Sequence, residues 1–417
     1  MSSIIEDLIA RKVFNNRGEE TIEVDVITTG GFGRAAAPAG KSRGKTEVVY
    51  YPQGGVDAAI KKVDDLIAPE LAGLNADFQE EIDSTLHELD GSTDFKNIGG
   101  NTACAISLAN AEAAANSHGL LLFQFLGGNA ATTLPYPLGN CISGGQHARG
   151  KSPDIQEYLA LPRGAETFVE AQTANTQIHK KIGDSLKKKS TSFNGGKSDE
   201  GAWIANIDTT DAFEVIAKAC EEVGNELDFE CGFGIDVAAS SFWKLKDEKY
   251  VLESMGKKLD TAEMLEFLLE LIEKYHVAYV EDPFNEEDYE SFAELTRKAK
   301  NCLICGDDLF TTNPERLNNG TKINAGNAII IKVNQIGTIS DAAQTIEIAQ
   351  NNGYAPVMSH RSGDTCDWHI AHLAVAYRCP LIKTGVVEGA RIAKLNELIR
   401  IEHFLGRRAK MADLKIR

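Results

Sequence analysis

Polar residues suited to acid–base and metal chemistry follow six short apolar runs in the second half of the chain. They are Asp236, Glu281, Asp307, Lys332, His360 and Lys383. After a first interval of 45 residues they recur every 23 to 28 residues, about the length of one compact β/α unit. The carboxyl ends of the strands of a β/α barrel meet on one face, where active sites lie. One such residue is often only an exposed strand end, but six with complementary chemistry indicate an active site.

The types of these residues indicate a particular reaction. Asp236, Glu281 and Asp307 are hard oxygen donors of the kind that Mg²⁺ prefers, without the thiolates or multiple histidines typical of a zinc site. A lysine is a base only when its amine is neutral, and a second lysine and nearby divalent cations would both lower its pKa. Lys332 and Lys383 therefore predict a metal-dependent enzyme that removes a proton from carbon beside a carboxylate.

The elements that must position these residues also follow from the sequence. Residues 259–276 and 338–353 have helical patterns, and each runs into an apolar strand. The first of these helices begins with Asp260 and Glu263 spaced as a capping box. Strands alternating with helices predict parallel β/α units and a barrel.

The first third of the chain has a different texture. It contains a strand at 21–30 and helices near 56–72 and 101–118, which predicts an α+β domain. The Pro-containing segment 132–140 is taken as the boundary. We therefore predict an N-terminal α+β capping domain at 1–133 and a β/α barrel catalytic domain at 134–417.

Composition excludes several classes of function. The net charge of −18 argues against a nucleic-acid partner, because binding phosphates requires clustered Lys and Arg. There is neither a run of about 18 apolar residues for a membrane span nor a signal peptide. Eight scattered cysteines suggest buried, reduced thiols and a cytoplasmic protein. The pair Cys302 and Cys305 lies in an apolar run and favours a buried strand over half a zinc site.

Two nucleotide-binding motifs are matched imperfectly. Residues 35–42 read AAAPAGKS, which fails the first position of a P-loop, contains Pro38 and is not clearly followed by a helix. Gly31 and Gly33 follow a strand as in a dinucleotide fingerprint, but the continuation is wrong for the start of a helix. Both are weak hypotheses, which stabilisation by ATP or by NAD would revive.

Several longer stretches are more specific than any single motif. They include GIDVAASSF (234–242), VEDPFNEEDYESFAELT (280–296), GDDLFTTN (306–313), IIKVNQIGT (330–338) and MSHRSGDT (358–365). On these stretches the chain resembles the enolase family along nearly its whole length. The resemblance implies an N-terminal α+β domain capping an irregular eightfold barrel whose first units run ββαα.

The resemblance also implies a role for each site residue. Asp236, Glu281 and Asp307 match the ligands of a first Mg²⁺, and Ser42 matches a loop ligand of a second. Lys332 matches the base that takes the proton from C2 of 2-phosphoglycerate. The remaining matches are Glu200 as the acid for the C3 hydroxyl with Glu157 as its partner, Lys383 at the substrate carboxylate, Arg361 and Ser362 at the phosphate, and His360 and His147 near the leaving group and phosphate. Gln156, beside Glu157, is a further candidate for substrate binding.

The implied reaction is the Mg²⁺-dependent, reversible dehydration of 2-phosphoglycerate to phosphoenolpyruvate in glycolysis, with two Mg²⁺ per active site. The implied partners are a small phosphorylated carboxylate and a second copy of the chain, because the family forms homodimers or larger homo-oligomers. Arg11, Glu23 and Glu402 occupy interface-type positions.

The sequence departs from the family pattern in two loops at the site. Lys41 and Arg43 add positive charge beside Ser42 in the loop 37–43, and the segment 386–391 after Lys383 is shorter than in the family. Drift in a distant, archaeal-type branch explains these changes, and so does a paralogue that acts on a related carboxylate. A non-catalytic binding protein with this fold is a further alternative, against which the retained chemical groups argue.

Overall fold

The computed structural model of the chain describes residues 3–41, 43–148 and 150–414. The strands are β1 (Ile5–Phe14), β2 (Glu20–Thr28), β3 (Phe32–Ala36), β4 (Thr133–Leu134), β5 (Tyr136–Ser143), β6 (Glu157–Leu161), β7 (Gly232–Asp236), β8 (Trp243–Lys244), β9 (Lys249–Leu252), β10 (Lys257–Leu259), β11 (Tyr279–Glu281), β12 (Leu303–Gly306), β13 (Ala328–Ile331), β14 (Ala355–Ser359), β15 (Leu381–Gly385) and β16 (Lys410–Met411). The helices are α1 (Gly55–Lys62), α2 (Ala68–Leu71), α3 (Gln79–Asp90), α4 (Gly100–Ser117), α5 (Leu122–Gly127), α6 (Phe168–Lys189), α7 (Thr209–Leu227), α8 (Thr261–Tyr275), α9 (Tyr289–Lys298), α10 (Pro314–Thr321), α11 (Val333–Ile336), α12 (Ile339–Asn351), α13 (His369–Ala376) and α14 (Gly389–Leu405).

Eight strands close into a barrel in the order β5-β6-β7-β11-β12-β13-β14-β15. Strand β6 is antiparallel to both of its neighbours, and the other pairs are parallel. Because α6 and α7 both follow β6, the first units run ββαα before the regular β/α alternation begins. This confirms the predicted irregular barrel.

The interior of the barrel is filled by side chains that alternate inward along the strands. Leu138, Leu159, Tyr279, Ile330 and Leu381 are fully buried there. Close packing of this kind fixes the strand ends in relation to one another, which a catalytic site at the rim requires.

The residues that precede the barrel form a three-stranded antiparallel sheet, β1-β2-β3, packed on α4. Gly31 and Gly33 make this packing possible, because a Cβ on either would lie 2.4 Å and 2.0 Å from the carbonyl oxygens of Ala113 and Ala109. The two glycines therefore bring a strand against a helix, and the dinucleotide hypothesis is wrong for them. The P-loop hypothesis fails as well, since the next helix after this loop begins only at Gly55.

The cysteine prediction is mostly confirmed. Cys302 immediately precedes β12 and Cys305 lies within it, and both are fully buried. All eight cysteines are free of disulfide bonds. Cys366 is exposed and Cys231 is partly exposed, so the expectation of buried thiols is wrong for these two residues. Among the described residues, no helix is both long enough and apolar enough to cross a membrane.

The helix that precedes β11 begins as its sequence predicts. The Asp260 carboxylate accepts a hydrogen bond from the Glu263 backbone N–H at 2.9 Å, and the Glu263 carboxylate accepts one from the Asp260 N–H at 2.8 Å. This reciprocal box satisfies two backbone donors that the first turn of α8 leaves free.

Candidate active site

The predicted site residues converge at the carboxyl-end mouth of the barrel around a cavity of about 30 Å³. The cavity is lined by Gly40, Lys41, His147, Gln156, Glu157, Glu200, Asp236, Asp307, Lys332, Ser359, His360, Arg361, Ser362 and Lys383. Of the predicted residues, Glu281 is fully buried beside this cavity, and Ser42 lies outside the described residues. A groove of about 660 Å³, also lined by Gly40, Lys41 and His147, adjoins the cavity.

The carboxylates at the ends of β7 and β11 share one ammonium group. Lys383 Nζ lies 2.9 Å from Asp236 Oδ2 and 2.7 Å from Glu281 Oε1. It is also 3.1 Å from Glu157 Oε2. Burial opposes the charge on this lysine, but the three carboxylates outweigh burial and raise the pKa of Lys383 well above its ordinary value. Lys383 is therefore a fixed cation at the centre of the site.

Glu281 is the most enclosed of the predicted metal ligands. Its Oε2 accepts a hydrogen bond of 2.6 Å from the Tyr279 hydroxyl. Burial, and then the nearby Asp236 carboxylate, raise the pKa of Glu281 well above its ordinary value. A divalent cation would relieve this repulsion, because it favours the ionised form of both carboxylates.

The second lysine is paired with the third carboxylate. Lys332 Nζ donates to Asp307 Oδ2, and Gln335 Nε2 donates to Asp307 Oδ1 at 2.9 Å. Burial alone would lower the pKa of Lys332, but Asp307 outweighs burial and the net pKa is raised. The contact with Asp307 stabilises the ammonium form of Lys332, and the lowering of its pKa by bound divalent cations stays a prediction.

Two glutamates and two histidines occupy the opposite wall. His147 Nδ1 lies 3.2 Å from Glu157 Oε1 and 4.0 Å from Glu200 Oε1. His360 Nε2 lies 3.4 Å from Glu200 Oε2, which also accepts a 2.9 Å hydrogen bond from Asn140. All four predicted groups are thus within reach of one another.

The pKa values of the two glutamates are shifted in opposite directions. Burial raises the pKa of Glu157, and the neighbouring Glu200 raises it further. Burial would also raise the pKa of Glu200. His360 and His147 outweigh burial and hold the pKa of Glu200 below its ordinary value. These opposite directions mean that Glu157 takes up a proton more readily than Glu200 does.

The predicted phosphate-binding residues follow β14 and meet partners from the N-terminal part of the chain. Arg361 forms a buried ion pair with Glu47, with an Nη2–Oε1 distance of 3.0 Å. The Ser362 hydroxyl accepts hydrogen bonds from the Lys41 backbone N–H at 2.9 Å and from Arg17 at 3.1 Å. No sequence pattern pointed to Glu47, because an acid in a loop is usually solvated.

One of the two added cations of the first loop belongs to the site. Lys41 lines the cavity. Arg43 instead stacks on Tyr50, with its guanidinium carbon 3.8 Å from the ring centroid, and donates to the Val48 carbonyl oxygen at 3.3 Å. A change of substrate preference through this loop would therefore depend on Lys41.

The donor set fits a divalent cation. Gln156 Oε1 is buried and has no hydrogen-bond partner among the described residues, although its amide nitrogen donates to Asp236 at 3.3 Å. Carboxylate and amide oxygens without thiolates suit Mg²⁺. Two groups of side chains bring possible ligand atoms within 4.8 Å of one another, namely Asp282, Asp307 and Asp308, and His147, Glu157 and Glu200. The two oxygens of Asp282 accept the backbone N–H groups of Asp307 at 3.0 Å and Asp308 at 2.8 Å.

Comparison with known proteins agrees with this site. A family described as "Enolase, N-terminal domain" matches residues 5–126, and "Enolase, C-terminal TIM barrel domain" matches residues 131–417. The boundary predicted between residues 133 and 134 stays a prediction.

Similar proteins match over nearly their whole length. The enolase of Methanothermobacter thermautotrophicus is 53% identical over 99% of this chain and 100% of that protein. The enolase of Methanosphaera stadtmanae is 51% identical over the same shares, and that of Pyrobaculum aerophilum is 48% identical over 99% of each chain. The chain therefore belongs to the enolase family and is a lyase of that family.

Proposed function

We propose that this chain catalyses the reversible dehydration of 2-phosphoglycerate to phosphoenolpyruvate, a step of glycolysis. The observation that carries the proposal is the arrangement of the cavity, in which Lys332 and Lys383 lie together with Glu157 and Glu200, and Arg361 and Ser362 line the same cavity. An elimination needs a base for the carbon-bound proton and an acid for the leaving hydroxyl, on different sides of the substrate.

Lys332 is the proposed base. It removes the proton from C2, and the charge left behind collects on the oxygens of the neighbouring carboxylate group. Lys383 remains an ammonium ion throughout, because three carboxylates surround it, and it neutralises the substrate carboxylate. A cation that binds Asp307 would weaken the pull of that residue on the Lys332 proton and so make the amine available as a base.

Asp236, Glu281 and Asp307 are the proposed ligands of one Mg²⁺, and Ser42 is the proposed ligand of a second. When bound, the two ions hold the substrate carboxylate and stabilise the negative charge that develops on it. The proposal is supported by oxygen donors from three neighbouring strand ends and by the unpartnered Gln156 oxygen among the described residues.

Glu200 is the proposed acid. It gives a proton to the departing C3 hydroxyl, and Glu157, which takes up a proton more readily than Glu200, is the proposed source of that proton. His147 joins the two glutamates and His360 contacts Glu200, so both histidines are placed to keep that proton near the leaving group. Arg361 and Ser362 bind the phosphate, and Gln156 is a further substrate contact.

A homodimer is the proposed assembly, and the cytoplasm with its reduced thiols the proposed compartment. Arg11 and Glu23 are partly exposed on neighbouring strands and pair with each other at 2.6 Å. Glu402 accepts the backbone N–H of Phe168 at 2.6 Å at the start of α6. Sedimentation of the purified chain tests this assembly, and a purely monomeric species would refute it.

The reaction is tested with Lys332→Ala. Purified protein is given Mg²⁺ and 2-phosphoglycerate, and phosphoenolpyruvate is followed by its ultraviolet absorbance. We expect the wild type to be active and the variant to lose at least about a hundredfold in kcat, the effect of losing a general base. Lys300→Ala, which removes an exposed lysine, is the matched control and is expected to retain full activity.

The alternatives predict different outcomes. Activity that persists in Lys332→Ala contradicts Lys332 as the base. A wild type that is inactive on 2-phosphoglycerate but active on a related carboxylate favours the paralogue, and Lys41→Ala would then shift its preference. A wild type that binds 2-phosphoglycerate without turnover favours the binding protein.

A further inference from the structure

A buried arginine outside the cavity contacts the backbone beside Glu200 and the backbone of Arg361 and Ser362. Arg391 lies in the first turn of α14, and its side chain is fully buried. Its guanidinium donates to His360 Nδ1 at 2.9 Å. It also donates to the carbonyl oxygens of Arg361 at 2.6 Å, Ser362 at 2.7 Å and Asp199 at 3.0 Å. The sequence pattern gave no role to this residue.

The contact with His360 decides which ring nitrogen carries the proton. A guanidinium is only a donor and stays protonated in proteins, so His360 Nδ1 must accept and cannot carry a proton. A neutral His360 then carries its proton on Nε2. That nitrogen is the one nearer the proposed acid, 3.4 Å from Glu200 Oε2.

The charged surroundings of His360 agree with a neutral ring. Burial, and then the Arg391 cation, lower the pKa of His360 to about 4. Glu200 and Asp364 act in the opposite direction but are outweighed. Thr384 Oγ1 also lies 3.2 Å from His360 Nδ1, and a hydroxyl can donate to that nitrogen.

The same guanidinium also contacts the segment that carries Glu200, through the backbone of Asp199. Asp199 immediately precedes Glu200, and its carbonyl oxygen also accepts a 2.7 Å hydrogen bond from Asn16. Arg391 thus holds the backbone beside Glu200 and the backbone of Arg361 and Ser362 to one planar group. A planar donor of this kind fixes distances between the segments it joins.

We propose that Arg391 is a positioning residue that sets the Nε2–H tautomer of His360 and holds Glu200 opposite it. The inference rests on the proposed function, in which Glu200 is the acid. Arg391 itself is not among the residues that line the cavity, so it acts through His360 and Asp199.

Lys394 offers a matched control on the same helix. It is also buried and cationic, and it donates to Asp364 Oδ1 at 3.1 Å and to the carbonyl oxygens of Thr365 and Asp367. Its side chain makes no described contact with His360 or Asp199. Lys394→Met therefore removes a buried charge from α14 without removing a contact to His360 or Asp199. The two cations share one partner, because the Asp364 carboxylate also lies 3.3 Å from the Arg391 guanidinium.

The tautomer is tested in the wild-type protein without substrate. The chain has nine histidines, and nitrogen NMR of protein labelled with ¹⁵N-histidine distinguishes their tautomers once the His360 signals are assigned with His360→Gln. We expect a neutral His360 with its proton on Nε2 near neutral pH. A proton on Nδ1, or on both nitrogens, would overturn the proposal. This result does not depend on turnover, so it is separable from a failure of the proposed reaction.

The variants test the consequence for catalysis. We expect Arg391→Met to lower kcat about tenfold to a hundredfold, the range for supporting residues of this kind, with a smaller change in KM. Arg391→Lys keeps the charge and one donor, so its kcat should lie between those of Arg391→Met and the wild type. Lys394→Met should leave kcat nearly unchanged even where its thermal stability falls.

Two kinetic outcomes would contradict the positioning role. One is a kcat for Arg391→Met equal to that of the wild type. The other is an equal loss of kcat in Arg391→Met and Lys394→Met, since that would show only a general structural effect. If Arg391→Met does not fold, Arg391→Lys takes its place, and a wild-type kcat in that variant together with a mixed His360 tautomer refutes the proposal.

Discussion

At the scale of single residues, charge pairing determines what each group of the site can do. Lys383 and Lys332 have the same chemistry, but one is held by three carboxylates and the other by Asp307. Lys383 is therefore held in its ammonium form by several partners, whereas the ammonium form of Lys332 depends on its contact with Asp307. Identical side chains are thus stabilised as cations to different extents by the carboxylates around them.

A buried histidine away from the cavity gives a pH prediction. His369 Nε2 lies 3.3 Å from Glu112 Oε2 and its Nδ1 lies 3.6 Å from Asp367 Oδ2. Burial alone would lower the pKa of His369, but the two carboxylates raise it to about 9. Because this pKa is raised above the unfolded value of about 6.5, the stabilisation is complete below about pH 6.5 and is lost as the pH rises through about 9.

We therefore expect His369→Gln to cost more stability in acid than in base. The gap in unfolding free energy between wild type and variant should be about 3 kcal/mol larger at about pH 6 than at about pH 10. Urea unfolding followed by circular dichroism measures both gaps. A gap that does not change with pH would mean that His369 is neutral in the folded protein.

At the scale of elements, the reversed strand of the barrel explains how Glu157 reaches the site. In a parallel strand the site residues lie at the carboxyl end. Strand β6 runs the other way, so its first residue, Glu157, lies at the mouth and pairs in register with Asp236. Gln156 precedes that strand and reaches the same place. A regular β/α barrel would have put both residues at the opposite end.

The capping box of α8 gives a prediction at this scale. Removing the carboxylate in Asp260→Ala leaves the Glu263 N–H without its acceptor, and we expect a loss of about 1 kcal/mol in unfolding free energy. Glu270→Ala, at an exposed position within the same helix, is the control and should have almost no effect. Chemical denaturation compares the two, and equal effects would argue against a capping contribution.

At the scale of the whole molecule, the N-terminal part of the chain completes the rim of the barrel. Ala39 and Gly363 exchange backbone hydrogen bonds of 2.7 and 2.8 Å. Glu47 pairs with Arg361, and Arg17 donates to Ser362. The cavity is therefore enclosed by residues from both parts of the chain, although the strand-end residues come from the barrel alone.

Metal binding should stabilise the whole fold, because a cation offsets the repulsion among buried carboxylates and binds only the folded chain. We expect added Mg²⁺ to raise the melting temperature by several degrees, and chelation to reverse the effect. Asp236→Asn should abolish most of this rise, whereas Asp247→Asn, an exposed acid, should retain it. Thermal unfolding measures the four combinations. An unchanged Mg²⁺ response in Asp236→Asn would remove Asp236 from the ligand set.

The sequence by itself determined the barrel, its strand-end residues and the type of chemistry, because these depend on local patterns of apolar and polar residues. The regular spacing of Asp236 to Lys383 along the chain was sufficient to predict that their side chains share one face. The capping box of α8 was also predictable from the sequence, since both partners lie within one helical turn.

Only the tertiary structure decided which charges pair. The contact of Lys332 with Asp307, the ion pair of Glu47 with Arg361 and the hydrogen bond from Arg391 to His360 join residues far apart in the chain. Sequence separation hides such contacts, and burial makes each of them strong enough to change a pKa or fix a proton. The identity of the reacting groups was thus local information, whereas their protonation depends on how the chain folds around them.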